Sequence, residues 1–153
     1  MERSGFTTIE MIIVVVLIGV MTAIGFPKIR AALDKTNVRS TRVFLGTAAV
    51  TARQSAVARG CRAVAHFTSG TGGTVWVTAC PRLRPGVGTV DTLGSVEQLA
   101  SRYNVTLTAT RDSVQFDPRG LSMDNVETIV RIVGNAGASK DSLRINPIGK
   151  VVR

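Results

Sequence analysis

Few residues in this chain are equipped for chemistry. One glutamate, Glu10, stands inside an otherwise uncharged apolar run at positions 9–26. There are two cysteines, Cys61 and Cys80, and one histidine, His66, too few for a His/Cys metal cluster. Asp112, Asp117, Asp124 and Glu127 could supply a carboxylate pair for acid–base work. Each lies beside turn signals, where Asp is common for backbone reasons. There is no Gly-x-Ser-x-Gly, no phosphate-binding Gly-rich loop and no Cys-x-x-Cys. The sequence therefore predicts neither an enzyme nor a cofactor. What it has in excess is positive charge, 19 Lys+Arg against 10 Asp+Glu in 153 residues, or +9. Such a balance favours an anionic partner and says nothing about fold.

The apolar run must be positioned first. As a helix its 18 residues span about 27 Å, close to the thickness of a hydrocarbon core. No second run compares with it, so the chain crosses a membrane once at most. A secretory signal peptide is one reading, with a poor cleavage site at 23–25 and with Glu2 opposing Arg3 ahead of the run. A plain anchor helix is a second reading, and it leaves Glu10 unexplained. A carboxylate at the centre of a membrane helix costs about 2.5–3.5 kcal/mol on insertion scales, so it needs a partner or a purpose.

A third reading uses every residue. Gly5-Phe6-Thr7-Thr8-Ile9-Glu10, followed by an unbroken apolar helix and Pro27, resembles the class III signal of type IV pilins and pseudopilins. That resemblance implies cleavage by prepilin peptidase between Gly5 and Phe6, and methylation of the new Phe6 amine. It implies that Glu10 and Pro27 are assembly residues, with Glu10 neutralised by the Phe6 amine of a neighbouring subunit. It also implies a single-pass protein of the bacterial inner membrane, its domain in the periplasm, that later enters a pilus or pseudopilus. The domains that follow are a leader (1–5), a membrane and filament-core helix (6–27), an amphipathic helix half (28–60) and a β-rich periplasmic domain (61–153). The implied partners are other pilins or pseudopilins, the peptidase and inner-membrane lipid.

Beyond Pro27, only Gly46 interrupts a helical stretch up to Arg59, and Gly60 is a plausible C-cap. Ile29, Leu33, Thr36, Val43, Phe44, Thr47, Val50 and Thr51 recur at three- and four-residue spacing, which marks one helix face. Lys28, Lys35, Arg39, Arg42 and Arg53 fall in a wedge about 60° wide on the other side. Eight basic residues and one acid, Asp34, lie between residues 28 and 62. That stripe reads as a solvated face, as a lipid-facing patch, or as a ridge that contacts the phosphates of double-stranded DNA.

The rest reads as about six short strands, giving an α+β, pilin-like fold: one long helix packed on an antiparallel sheet domain. Residues 62–67 and 74–79 form a hairpin about Gly70-Thr71, which sets Cys61 opposite Cys80. With an exported domain this predicts a structural disulfide; two buried thiols are the alternative. His66 reads as a strand residue and Trp76 as core. Residues 81–94 read as a connection. Ser95-Val96-Glu97-Gln98 has the spacing of a capping box for a helix ending near Tyr103. Strands are expected at 104–110, 114–116, 126–133, 143–145 and 150–152.

Two further segments narrow the resemblance. Val114-Gln115-Phe116-Asp117-Pro118-Arg119-Gly120 and the ending at 143–153 resemble the FimT/GspH-type minor pilins and pseudopilins. Some FimT-type proteins bind DNA through a C-terminal Gly-Arg-x-Arg-like segment. Gly149-Lys150-Val151-Val152-Arg153 occupies that place here, with Lys for the first Arg and one additional residue between the basics. Arg144, Lys150 and Arg153 thereby join Lys35, Arg39, Arg42 and Arg53 as candidate DNA-binding residues. The function this reading implies is filament initiation or assembly as a minor pilin, with DNA binding for uptake. The alternative is a minor pseudopilin of type II secretion.

Overall fold

The computed structural model describes residues 7–70, 72–81 and 90–152. Helix α1 runs from Thr8 to Arg59 and passes through Pro27. The chain divides into two compact units, Met1–Leu33 and Asp34–Arg153. In the first unit the described part of α1 is solvent-exposed except at Gly25.

The second unit owns the core. Among the described residues eight strands follow α1: β1 (Ala63–Phe67), β2 (Thr74–Ala79), β3 (Asp91–Gln98), β4 (Val105–Ala109), β5 (Ser113–Phe116), β6 (Thr128–Gly134), β7 (Lys140–Ile145) and β8 (Val151–Val152). A one-turn helix α2 (Leu99–Tyr103) separates β3 from β4. The strands form two antiparallel sheets, sheet A in the order β3-β2-β1-β5 and sheet B in the order β4-β6-β7-β8. Alternation along β1, β6 and β7 sends Ala63, Ala65, Phe67, Val130, Ile132, Leu143 and Ile145 inward. There they meet α1 in one apolar cluster.

The buried stripe of α1 differs from the one its hydropathy predicts. Asp34, Val38, Thr41, Leu45, Ala48, Ala49, Ala52 and Ala56 are buried. Val43 and Val50 are 59% and 43% exposed, and Leu33 and Ile29 are also exposed. Small side chains let a helix axis approach a sheet closely. An added methyl at Gly46 would make ordinary contact with Leu143 and Val151, at 3.9 and 4.0 Å. The bulkier residues therefore stand on the outer side. The helix ends in a Schellman motif: Cys61 N–H donates to Ala56 O, Gly60 N–H donates to Val57 O, and Gly60 has φ +64.

Three other expectations change. Residues 95–98 belong to β3, paired with Thr74 and Val75, so the capping-box spacing caps nothing. Helix α2 begins without a side-chain cap, and Ser95 Oγ donates to Glu97 Oε1 instead. That bond and the Arg102 guanidinium hold the Glu97 carboxyl below its usual pKa. Residues 91–94, expected in the connection, are also β3. Trp76 leaves the core for the outer side of sheet A, where it stacks on His66 with ring centroids 4.7 Å apart.

Candidate functional site: an exposed apolar span and a basic groove

Thr7 immediately precedes helix α1, and its Oγ1 accepts the Glu10 N–H at 3.4 Å. Glu10 thus sits in the first turn, where a carboxylate complements the helix dipole. From there the large side chains are exposed on every side: Ile9 64%, Leu17 54%, Met21 73%, Phe26 56%. The apolar window has a mean hydropathy of 2.6, and none of it is buried. This helix is long and apolar enough to cross a membrane. The one hydroxyl of the apolar run at 9–26, Thr22, donates to Ile18 O and Gly19 O at 2.9 and 3.0 Å, so it presents no unmet donor to an apolar surrounding. Gly5 and Phe6, the predicted cleavage and methylation residues, lie outside the described residues, as does the 1–5 leader.

The predicted basic stripe separates into two places. Lys35, Arg39 and Arg42 line one side of a groove of about 490 Å³. The other side is the β6–β7 hairpin, Ala138 to Asp141, which contributes a fourth cation, Lys140. Arg42 reaches across to Asp141 at 3.0 Å, the ion pair that ties α1 to the hairpin. Arg53 is not in this group. It packs beside Gly120, where an added Cβ would stand 3.2 Å from its Nε. Arg144 lies exposed on β7, opposite Val152 of β8. Lys150 is exposed in the β7–β8 turn, and Arg153 falls outside the described residues. Lys140 escapes sequence reasoning because only the hairpin register brings it to the helix.

The two C-terminal motifs are structural neighbours. Asp117 accepts the N–H of Arg119 and of Leu121 at 2.9 and 2.8 Å, closing the turn after β5. Gly149, at φ +79, fits against the Phe116 ring and Ser122 N, where a Cβ would come within 2.9 Å of the ring. The glycines of both motifs are required by packing.

Asp34, the only acid of the basic segment, is 8% exposed, and its Oδ2 has no hydrogen-bond partner. It packs on Gly134, and a Cβ there would overlap both carboxylate oxygens. Cys61 and Cys80 form a disulfide with a Cα–Cα distance of 6.3 Å. The register sets Ala63 against Ala79, so the cysteines bridge diagonally rather than directly opposite each other. Arg59 donates to Cys80 O at 2.6 Å and pairs with Asp91 at 2.9 Å, fastening the helix end to sheet A. His66 bonds Thr78 Oγ1 at 2.9 Å, and burial lowers its pKa.

No family model matches the chain, and the search of curated proteins returns no match. Two solved structures match its fold, both of the type IV minor pilin FimU of Pseudomonas aeruginosa (strain PAO1), in different space groups. One has a TM-score of 0.59 at 16% identity and covers 76% of this chain and 87% of FimU. The other has a TM-score of 0.52 at 13% identity and covers 74% and 90%. The chain has the pilin-like α+β fold, with a long N-terminal helix and a β-rich domain.

Proposed function

We propose that this chain is a minor subunit of a type IV pilus, anchored in the inner membrane by α1 with its domain in the periplasm until it joins the filament. The observation that carries the proposal is an all-round apolar helix that nothing in its own unit covers, borne by a chain of pilin-like fold. Such a helix needs lipid first and other helices afterwards. The likeness to a minor pilin favours a pilus over a secretion pseudopilus.

In this reading prepilin peptidase cuts after Gly5, and the methylated Phe6 amine of one subunit meets Glu10 of the next. A buried unpaired carboxylate is strongly unfavourable and a paired one much less so, so the pair fixes axial register. The outward residues Val43, Val50 and Val57 extend an apolar seam along the second half of α1, available to a neighbouring helix. Starting or capping the filament suits a low-abundance subunit. Glu10→Ala should leave cleavage intact and lower the amount recovered in sheared filaments by about tenfold or more, the factor that 1.4 kcal/mol gives. Normal recovery would remove Glu10 from assembly.

The basic groove supports a second role, binding double-stranded DNA at the filament surface. Three α1 cations and Lys140 converge there with one acid between them, and that acid is already paired. Binding should be indifferent to sequence and fall steeply with salt, because phosphate contacts release counterions. A mobility shift at low salt that disappears at high salt is the expected result. No shift at low salt would leave only the assembly role.

A further inference from the structure

We propose that the duplex backbone lies across the outer face of sheet B, with Arg131 at the centre of the contact. This inference rests on the DNA-binding reading and assigns it a surface.

Register and burial define that face. Val105, Leu107, Val130, Ile132, Leu143 and Ile145 point inward, so their strand neighbours point outward. Arg131 stands directly between Thr108 of β4 and Ser142 of β7. Ser142 is flanked two residues away on each side by Lys140 and Arg144, which share its face and are diagonal neighbours of Arg131. Diagonal positions are about 7–8 Å apart, within reach of long side chains. Arg131, Lys140 and Arg144 are exposed, and none belongs to an ion pair among the described residues. The only acid in these four strands, Asp141, is committed to Arg42. Glu127 stands one residue ahead of β6.

The chemistry of the face favours duplex backbone. Two hydroxyls flank the central guanidinium, and Arg, Lys, Ser and Thr are the side chains that meet phosphate oxygens. The face carries no aromatic ring, so it offers no stacking platform for unpaired bases. It also has no bulky aromatic to insert into lipid. Lys140 to Arg144 covers about 13 Å of strand at about 3.3 Å per residue, and phosphates follow every ~3.4 Å of axis on each strand of a duplex. Lys140 also lines the α1 groove, so the two cationic surfaces are continuous through it. Sheet A cannot serve this way: β1, β2, β3 and β5 contain no Lys or Arg and carry Asp91 and Glu97.

The test uses the full chain in neutral-lipid nanodiscs, titrated with labelled duplex across a salt series. The double change Arg131→Glu/Arg144→Glu should weaken binding by about tenfold or more at about 50 mM salt and flatten the salt slope by about two, roughly one per lost contact. The milder Arg131→Gln/Arg144→Gln should flatten it as well, with an unchanged melting temperature showing that the sheet is intact. Arg62→Glu, beside β1 of sheet A where Arg62 meets Gln115, should change affinity by less than about threefold, a field effect without a contact. If wild type binds and the sheet B variants bind equally well, this inference fails while the DNA reading stands. If wild type ignores duplex at low salt, both fail. Arg131-dependent capture of separate phosphatidylglycerol vesicles, without duplex binding, would overturn both in favour of a membrane surface.

Discussion

The two halves of α1 are one helix under opposite constraints. Before Leu33 its large side chains are exposed on all sides; from Asp34 onward it buries a narrow stripe of mostly small residues. The first half contributes nothing to a core within its own unit among the described residues. The second half is covered by its own chain, and alanines let the sheets come close. The lesson is that apolar content alone does not locate a core. The most apolar part of this chain is the part its own fold leaves bare.

Truncation at matched sites should show the contrast most strongly. Leu45 is fully buried, so Leu45→Ala should cost about 2–5 kcal/mol of unfolding free energy. Leu17→Ala and Val50→Ala should change it by less than about 0.5 kcal/mol. Denaturant melts of the three variants measure this, and a large loss from Leu17→Ala would erase the distinction. Next comes the point where burial begins. Gly134→Ala should cost about 1–3 kcal/mol, because its methyl meets the Asp34 carboxylate. In an Asp34→Ala background the same change should cost much less, and a double-mutant cycle reads the coupling. Additive costs would mean that the two residues do not share that space.

The smallest effect belongs to the domain alone. Burial lowers the His66 pKa in the folded state. The unfolded chain therefore takes up a proton first as pH falls through about 6.5. Stability should decline slightly below that pH and level off once the folded form is protonated too. His66→Gln should remove this dependence between about pH 7 and 5, whereas an unchanged profile would assign it to carboxylates.

The sequence is informative where one residue type has one physical use. The apolar run, the Gly60 stop and the Cys61–Cys80 bond are all visible in it. The buried face of α1 is misread because valine and leucine outrank alanine in hydropathy, whereas close packing on a sheet favours alanine. Strand β3 is missed because it is an edge strand with almost no buried residue, so no alternation marks it. The basic site is half visible. Helical spacing groups Lys35, Arg39 and Arg42 with Arg53, which packs beside Gly120 rather than lining the groove, about three turns further along α1. Lys140 reaches the groove through strand register, a long-range property that no local pattern encodes.

A bare apolar half of α1 made for a filament, as proposed above, leaves a chemical trace at its N-terminus. Mass spectrometry of the chain recovered from sheared filaments tests it most directly. The expected product has a mature N-terminus at Phe6 carrying a methylated amine, with Glu10 four residues behind it. Recovery only in the membrane fraction with Met1 retained, or a cut near residue 25 that discards the apolar span, would contradict it.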